Sequence, residues 1–192
     1  MAEHSIVLSQ YARLGGFAVD LVRIGEKVVD RDKIRRAVDK ILDLRATGLP
    51  QQEVADQLGI DRAFVSKVET MGEIRRGGRI ALIGFPLKNK DEIGAIAASE
   101  GLDTVLLMND VERWQWVKGR SGEVLIGDIM GLITAAKDCD AVIFIGSDMR
   151  IRLAEAILGP KVLGIEIGTS PIKEDKYVDP EKVRALIREI RV

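Results

Sequence analysis

Two groups of residues have side chains whose types and spacing suit chemistry. Between positions 62 and 79 the chain places Arg62, Lys67, Arg75, Arg76 and Arg79 against only Glu69 and Glu73. A local basic face of this kind suits the phosphates of nucleic acid, which respond to nearby charge more than to the net charge of a protein. The second group lies where short apolar runs end in small polar residues: Gly84-Phe85, Gly146-Ser147-Asp148 with Arg150, and Gly168-Thr169-Ser170. Where such a loop feeds a helix, free backbone N–H groups suit an anion. The same glycines and serines also make tight strand-to-helix turns, so turn chemistry competes with the ligand-pocket reading.

Little else points to covalent or acid–base chemistry. The single histidine is His4 and the single cysteine is Cys139. Histidine catalysis, an internal disulfide and a thiolate zinc cluster are therefore not expected. Cys139 reads as a small packed residue. Asp110 and Asp148 both fall at expected strand ends, where a shared divalent cation is conceivable, although Asp148 reads more readily as a helix N-cap. Neither G-x-G-x-x-G after the first strand of the second half nor G-x-x-x-x-G-K-[ST] occurs, so the standard nucleotide signatures are missing. Catalysis, a metal and a cofactor are not indicated. The segment ERWQWVKGRSG (112–122) puts Trp114 and Trp116 among Arg113, Lys118 and Arg120 in an expected connection. It reads as edge packing or a subunit contact ahead of a surface for bases or nucleic acid.

The elements that must position these residues fall into two halves. At 192 residues, 46% hydrophobic and 31% charged, the chain can bury a core and is no disordered tail. No secretory signal and no run of about 18 apolar residues is evident, so a soluble cytoplasmic protein without membrane contact is expected. The net charge of −1 is merely permissive for DNA. Residues 17–29 predict one or two short strands turning at Gly25-Glu26. Asp30 is a good N-cap for a helix carrying Ile34, Ala37, Val38, Ile41, Leu42 and Leu44, stopped by Gly48 and Pro50. QQEVADQLGIDRAFVSKVE (51–69) predicts two helices about a turn at Gly59, with Ala55 at the close approach. Val54, Leu58, Ile60, Val65 and Val68 face inward. Asp61 caps the second helix, leaving Arg62, Ala63, Ser66 and Lys67 outside. From 79 onward, apolar runs at 79–86, 103–110, 141–148 and 161–168 alternate with helical stretches. That predicts an α/β fold: a small four-stranded parallel sheet in a three-layer, Rossmann-like or flavodoxin-like domain.

Residues 31–69 resemble the Xre-like, phage-repressor type of helix-turn-helix regulator, with Gln51, Ala55, Gly59, Val65 and Val68 at the marker spacing of that family. The resemblance implies that Gln51 and Gln52 touch DNA backbone or bases and that Arg62, Ala63, Ser66 and Lys67 enter the major groove. Unlike the family, which usually continues into further helices, TMGEIRRGGRIALIG runs into a strand. The second half carries no resemblance.

The expected organisation is a DNA-binding domain over 1–78 and an α/β domain over 79–192, joined near Gly77-Gly78. The second is expected to make a homodimer and to sense a small molecule of anionic type. In the commonest winding its first and third strands flank the ligand crevice. Two alternatives stay open. The second domain is an enzyme on phosphorylated or nucleotide substrates tethered to nucleic acid, or it is structural and the protein binds double-stranded DNA constitutively.

Overall fold

The computed structural model describes residues 11–14, 17–73, 78–102 and 104–191. The chain divides into two compact units, Met1–Met71 and Gly72–Val192, each considered by itself. The whole is mixed α/β, with eight α-helices among the described residues, none long and apolar enough to cross a membrane.

The first unit opens with an antiparallel sheet in the order β1 (Tyr11–Leu14), β2 (Phe17–Ile24), β3 (Lys27–Asp30). β2 and β3 pair from Leu21↔Asp30 to Ile24↔Lys27. Gly25 turns between them at φ 60°, a left-handed conformation cheap only without a Cβ. The expected hairpin is therefore present, and β1 adds a strand where the sequence offered no pattern. The Asp30 carboxylate accepts the N–H groups of Asp32 and Lys33, at 2.9 and 3.2 Å, and starts α1 (Arg31–Ala46). Asp20 on β2 receives Arg31 at 3.3 Å and Arg35 at 3.0 Å, tying the sheet to that helix.

α2 (Gln51–Leu58) and α3 (Arg62–Gly72) complete the unit. Ile41, Val54, Ala55, Val65 and Val68 form its buried centre, with Val38, Leu44, Leu58 and Ile60 packed around them. The apolar stripe expected on α1 is buried only in part. Ile34, Ala37 and Leu42 face solvent. The first two lie a turn ahead of the buried Val38–Ile41–Leu44 row, and Leu42 lies about 100° round the helix from Ile41.

The second unit is built on a parallel sheet in the order β5-β4-β6-β7: Thr104–Leu107, Ile80–Gly84, Ala141–Gly146 and Val162–Glu166. β4 and β6, the central pair, are buried at every position, as a strand covered on both faces must be. Alternation along β4 divides the core. Ile80 and Leu82 pack with α4 (Lys90–Ser99) and α8 (Pro180–Arg191). Ala81 and Ile83 face the other way, towards Ala136 of α6 (Gly122–Lys137) and Ile151 of α7 (Asp148–Leu158).

Two expectations need correction. The strands are shorter than the apolar runs, because Pro86 has no N–H to give a ladder and Asn109 and Ser147 leave the sheet to begin helices. The trailing residues thus become the loops of the sheet's C-terminal edge. Residues 112–122 are mostly not a connection: Asp110–Lys118 forms helix α5. Its start is a reciprocal cap, Glu112 N–H to Asn109 Oδ1 at 2.8 Å and Asn109 N–H to the Glu112 carboxylate at 3.0 Å. On α6, Leu132, Ile133 and Ala136 are covered, whereas Ile129, at helical spacing from Leu132 and Ile133, is 39% exposed. The layer reaches only the C-terminal part of that helix.

Gly164 on β7 explains how α7 seats. A Cβ there would overlap Cγ2 of Ile151, so the missing side chain is the space that Ile151 fills. Gly164→Ala should cost about 1–3 kcal/mol through overpacking. In a chemical-denaturation cycle with Ile151→Ala, the double change should cost less than the two singles added. Simple additivity would show that the two positions do not share this space.

Candidate functional site

The outer face of α3 is set by three local features. Gly59 closes α2 in the left-handed region at φ 63°, and the Ile60 N–H donates to the Ala55 carbonyl at 3.0 Å. Asp61 then caps α3, accepting the Ala63 N–H at 2.6 Å. With Val65 and Val68 in the core, the helical period turns Arg62, Ala63 and Lys67 to solvent and leaves Ser66 half-buried. Phe64 is also exposed on this helix, at 45%. Arg75 and Arg76 lie outside the described residues, as do Gly77 and His4.

The two glutamines expected to touch DNA have partners within the unit. Gln51 donates from Nε2 to Glu69 at 2.7 Å, and Gln52 donates to Asp56 at 2.9 Å. Glu69 also receives Arg45 of α1, whose guanidinium reaches the Leu49 carbonyl as well. One carboxylate on α3 therefore collects donors from α1 and α2, fixing all three helices at one end. Arg45 and then Gln51 hold the Glu69 carboxyl below the usual glutamate range. Sequence spacing gave no hint of this tie, because Arg45 and Glu69 are 24 residues apart.

In the second unit, the loops beyond β4, β6 and β7 do converge. The Phe85 N–H donates to Ile145 O at 3.1 Å, and Ile167 N–H to Gly146 O at 3.0 Å. The N-cap of α7 is Ser147, correcting the expectation for Asp148, which stands one place inside the helix. The Asp148 N–H is not free for an anion, since it donates to Gly168 O at 3.2 Å. Its carboxylate accepts the Ser170 N–H at 2.8 Å and pairs with Arg152 at 2.7 Å. The Ser170 bond, foremost, keeps that carboxyl below the usual aspartate range. Asp148 is thus a latch between α7 and residues 168–170.

The glycines of these loops serve packing. A Cβ on Gly84 would stand 2.8 Å from Leu87 Cδ1, and one on Gly146 would stand 2.9 Å from the Phe144 ring. Thr169 is exposed and makes none of the described hydrogen bonds. Asp110 and Asp148, for which a shared cation was conceivable but not expected, each already have a partner. Asp110 is paired with Arg113 and Asp148 is latched, and no group of three metal-ligating side chains occurs among the described residues.

What remains at this edge is cationic. Arg150 is half-buried, with its guanidinium 5.2 Å from the centre of the Phe85 ring. Among the described residues it has no ion pair, and its NH1 is fully buried without a hydrogen-bond partner. Burial, followed by the charge of Arg113, pushes Arg150 below its ordinary pKa, and Asp110 partly offsets this. Ser147 is wholly buried, and its hydroxyl also lacks a partner. Arg113 and Asp110, noted in the sequence only as a neighbour of the tryptophans and as a strand-end acid, pair with each other at this same edge.

A strap over the neighbouring loop narrows the edge. Lys176 N–H donates to Pro86 O at 3.1 Å, Lys88 N–H donates to Lys176 O at 2.8 Å, and Asp175 accepts the Asp110 N–H at 2.7 Å. Asn89 holds the strap's end through both its amide groups, at 2.8 and 3.1 Å from the Val178 backbone. An open depression of about 810 Å³ runs along α5 past Asp110, Trp114 and Lys118. A smaller one of about 260 Å³ sits at the opposite edge of the sheet, beside Arg79 and Cys139. Cys139 is buried there, as expected for a packed residue.

The chain finds no match among family models, curated proteins or solved structures. The class defined here is therefore structural: a mixed α/β chain whose second unit carries helices on both faces of a four-stranded parallel sheet.

The Glu69 tie has a pH signature. A carboxyl held below its usual value stabilises the fold at neutral pH, and that contribution is lost as pH falls through the lowered value. Amide hydrogen exchange in α3 should quicken over that acid window. Glu69→Gln should lower protection at pH 7, by about 0.5–1 kcal/mol, and flatten the acid dependence. An unchanged pH profile in the variant would remove Glu69 as the cause.

Proposed function

We propose that residues 31–69 form a helix-turn-helix reader of double-stranded DNA of the Xre-like type, and that the chain is a sequence-specific transcriptional regulator of the cytoplasm. The observation that carries this reading is the two-sidedness of α3. Val65 and Val68 anchor it, at 0% and 4% exposure, while Arg62, Ala63 and Lys67 are free on the other side of a left-handed glycine turn. Arg and Lys suit the guanine edge in the major groove, and a small side chain suits the thymine methyl. The engagement of Gln51 with Glu69 gives it a positioning part: it orients α2 and α3 and leaves base contacts to α3.

Readers of this kind normally act as two-fold pairs on matched half-sites. The second unit supplies a surface for a second copy. Ile126 and Met130 on α6, and Met149, Leu153 and Ile157 on α7, are exposed at 64, 57, 57, 59 and 43%. Single exposed apolar residues are ordinary. Here they repeat at four-residue spacing on two neighbouring helices, which makes a stripe suited to self-association. The same unit senses a small molecule at the C-terminal edge of its sheet, where parallel α/β domains hold ligands.

Genomic fragments recovered with the wild-type protein should be enriched in a paired half-site motif. Arg62→Ala/Lys67→Ala, confirmed folded by circular dichroism, should lose that enrichment. Equal, unenriched recovery by both proteins would end the DNA-reading proposal. For the pairing surface, Leu153→Glu should convert a dimer to a monomer in light scattering after gel filtration; a persistent dimer would move the interface elsewhere.

A further inference from the structure

Three donors at one edge of the second unit lack what buried donors require. Arg150 NH1, Arg113 Nε and Ser147 Oγ are all fully buried without hydrogen-bond partners. Native proteins leave few such groups, and each costs free energy unless something satisfies it. These are set at one place by the fold. Ser147 follows β6 at the N-cap position of α7, Arg150 comes three residues later in the first turn of that helix, and Arg113 stands in the first turn of α5, beyond β5. Arg113 and Arg150 are near enough for one charge to depress the other's protonation.

Charge balance at this edge is incomplete. Asp110 is spent on Arg113, and Asp148 is spent on Ser170 and Arg152. Arg150 has no ion pair among the described residues. Its guanidinium is not loose: the Phe85 ring lies 5.2 Å away, and the Phe85 backbone is itself bonded to β6. A guanidinium oriented in this way offers paired N–H donors that match a carboxylate or a phosphate, and an oxygen acceptor would also satisfy Ser147. The end of an 11-residue helix adds partial positive charge in the same direction.

We propose that the crevice beyond β4 and β6 binds the oxyanion group of a small molecule, carboxylate or phosphate, with Arg150 as its counter-charge, Ser147 Oγ as a hydrogen-bond partner and Arg113 as the second cation. This deepens the sensing function proposed above and rests on it for biological meaning, though not for its chemistry. Asp148 keeps α7 tied to residues 168–170 and stays out of the ligand's contacts. Thr169 has no part in the site.

The test uses the full chain, titrated with inorganic phosphate and separately with acetate, each against chloride at equal ionic strength. Trp114, 5.1 Å from the Arg113 guanidinium, is the intrinsic reporter, and calorimetry gives the stoichiometry. Saturable binding of either probe is expected, and which of the two binds identifies the oxyanion. Arg150→Gln should weaken binding by about tenfold or more, as loss of a charge-assisted hydrogen bond predicts. Arg150→Lys, which keeps the charge without the paired donors, should fall between and serves if the Gln variant is unfolded. Absence of saturable binding of both probes beyond the chloride control would overturn the proposal, as would wild-type affinity in both Arg150 variants. The Arg62→Ala/Lys67→Ala protein should bind the probe normally, so failure of the DNA reading and failure of this site are told apart.

Discussion

The parallel pairing of β4 with β6 decides where the second unit can hold anything. β5 lies outside β4 and β7 outside β6, so the chain winds outward in both directions from that central pair. The helices that follow β4 and β6 therefore lie on opposite faces of the sheet, and the C-terminal edge between these strands is where parallel α/β domains commonly hold ligands. Arg150 enters it from α7 and Phe85 comes from the end of β4. The Asp148 latch ties α7 to residues 168–170, and Asp175 and Val178 tie their segment to Asp110 and Asn89. Packing fixes the frame as well. Gly84, Gly146 and Gly164 each stand where a methyl group would strike a neighbour, which keeps the strands and α7 in close register.

The first unit solves a smaller problem with fewer parts. Three short helices bury five side chains at their centre, a modest core for holding a recognition helix steady. Polar ties supplement it: Asp20 gathers two arginines of α1, and Glu69 gathers Arg45 and Gln51. Both ties lie at element ends and leave the outer side of α3 uncommitted. In the proposed reader, rigidity comes from the inner side of α3 and from Glu69, and specificity from the side that faces away.

Local chemistry was legible in the sequence. A capping aspartate before each of α1 and α3, a glycine where φ must be positive and apolar residues at helical or strand spacing all act within a few residues, so Asp30, Asp61, Gly59 and the four strands of the parallel sheet could be read directly. Long-range partners could not. Nothing about Glu69, Asp148, Asn89 or Asp175 announces a partner 18 to 89 residues away. α5 was missed because its aromatic and charged residues follow no apolar period, although Asn109 and Glu112 carried a capping signature. The loops of the candidate pocket were picked out by their turn residues; the close approach of Leu87 to Gly84 and of Phe144 to Gly146 left no local trace in the sequence. Arg150, half-buried and without an ion pair among the described residues, was visible only as one arginine among many.

The central claim is that the exposed side of α3 reads bases in the major groove as one of a pair. Methylation interference on a recovered DNA fragment tests it most directly, since modifying guanine N7 blocks the groove edge where Arg62 and Lys67 would bind. Two clusters of interfering guanines are expected on one face of the duplex, centred about one helical turn or a whole multiple of it apart, and both should be lost with Arg62→Ala/Lys67→Ala. Interference spread evenly along the fragment, or two clusters that survive in the variant, would contradict it.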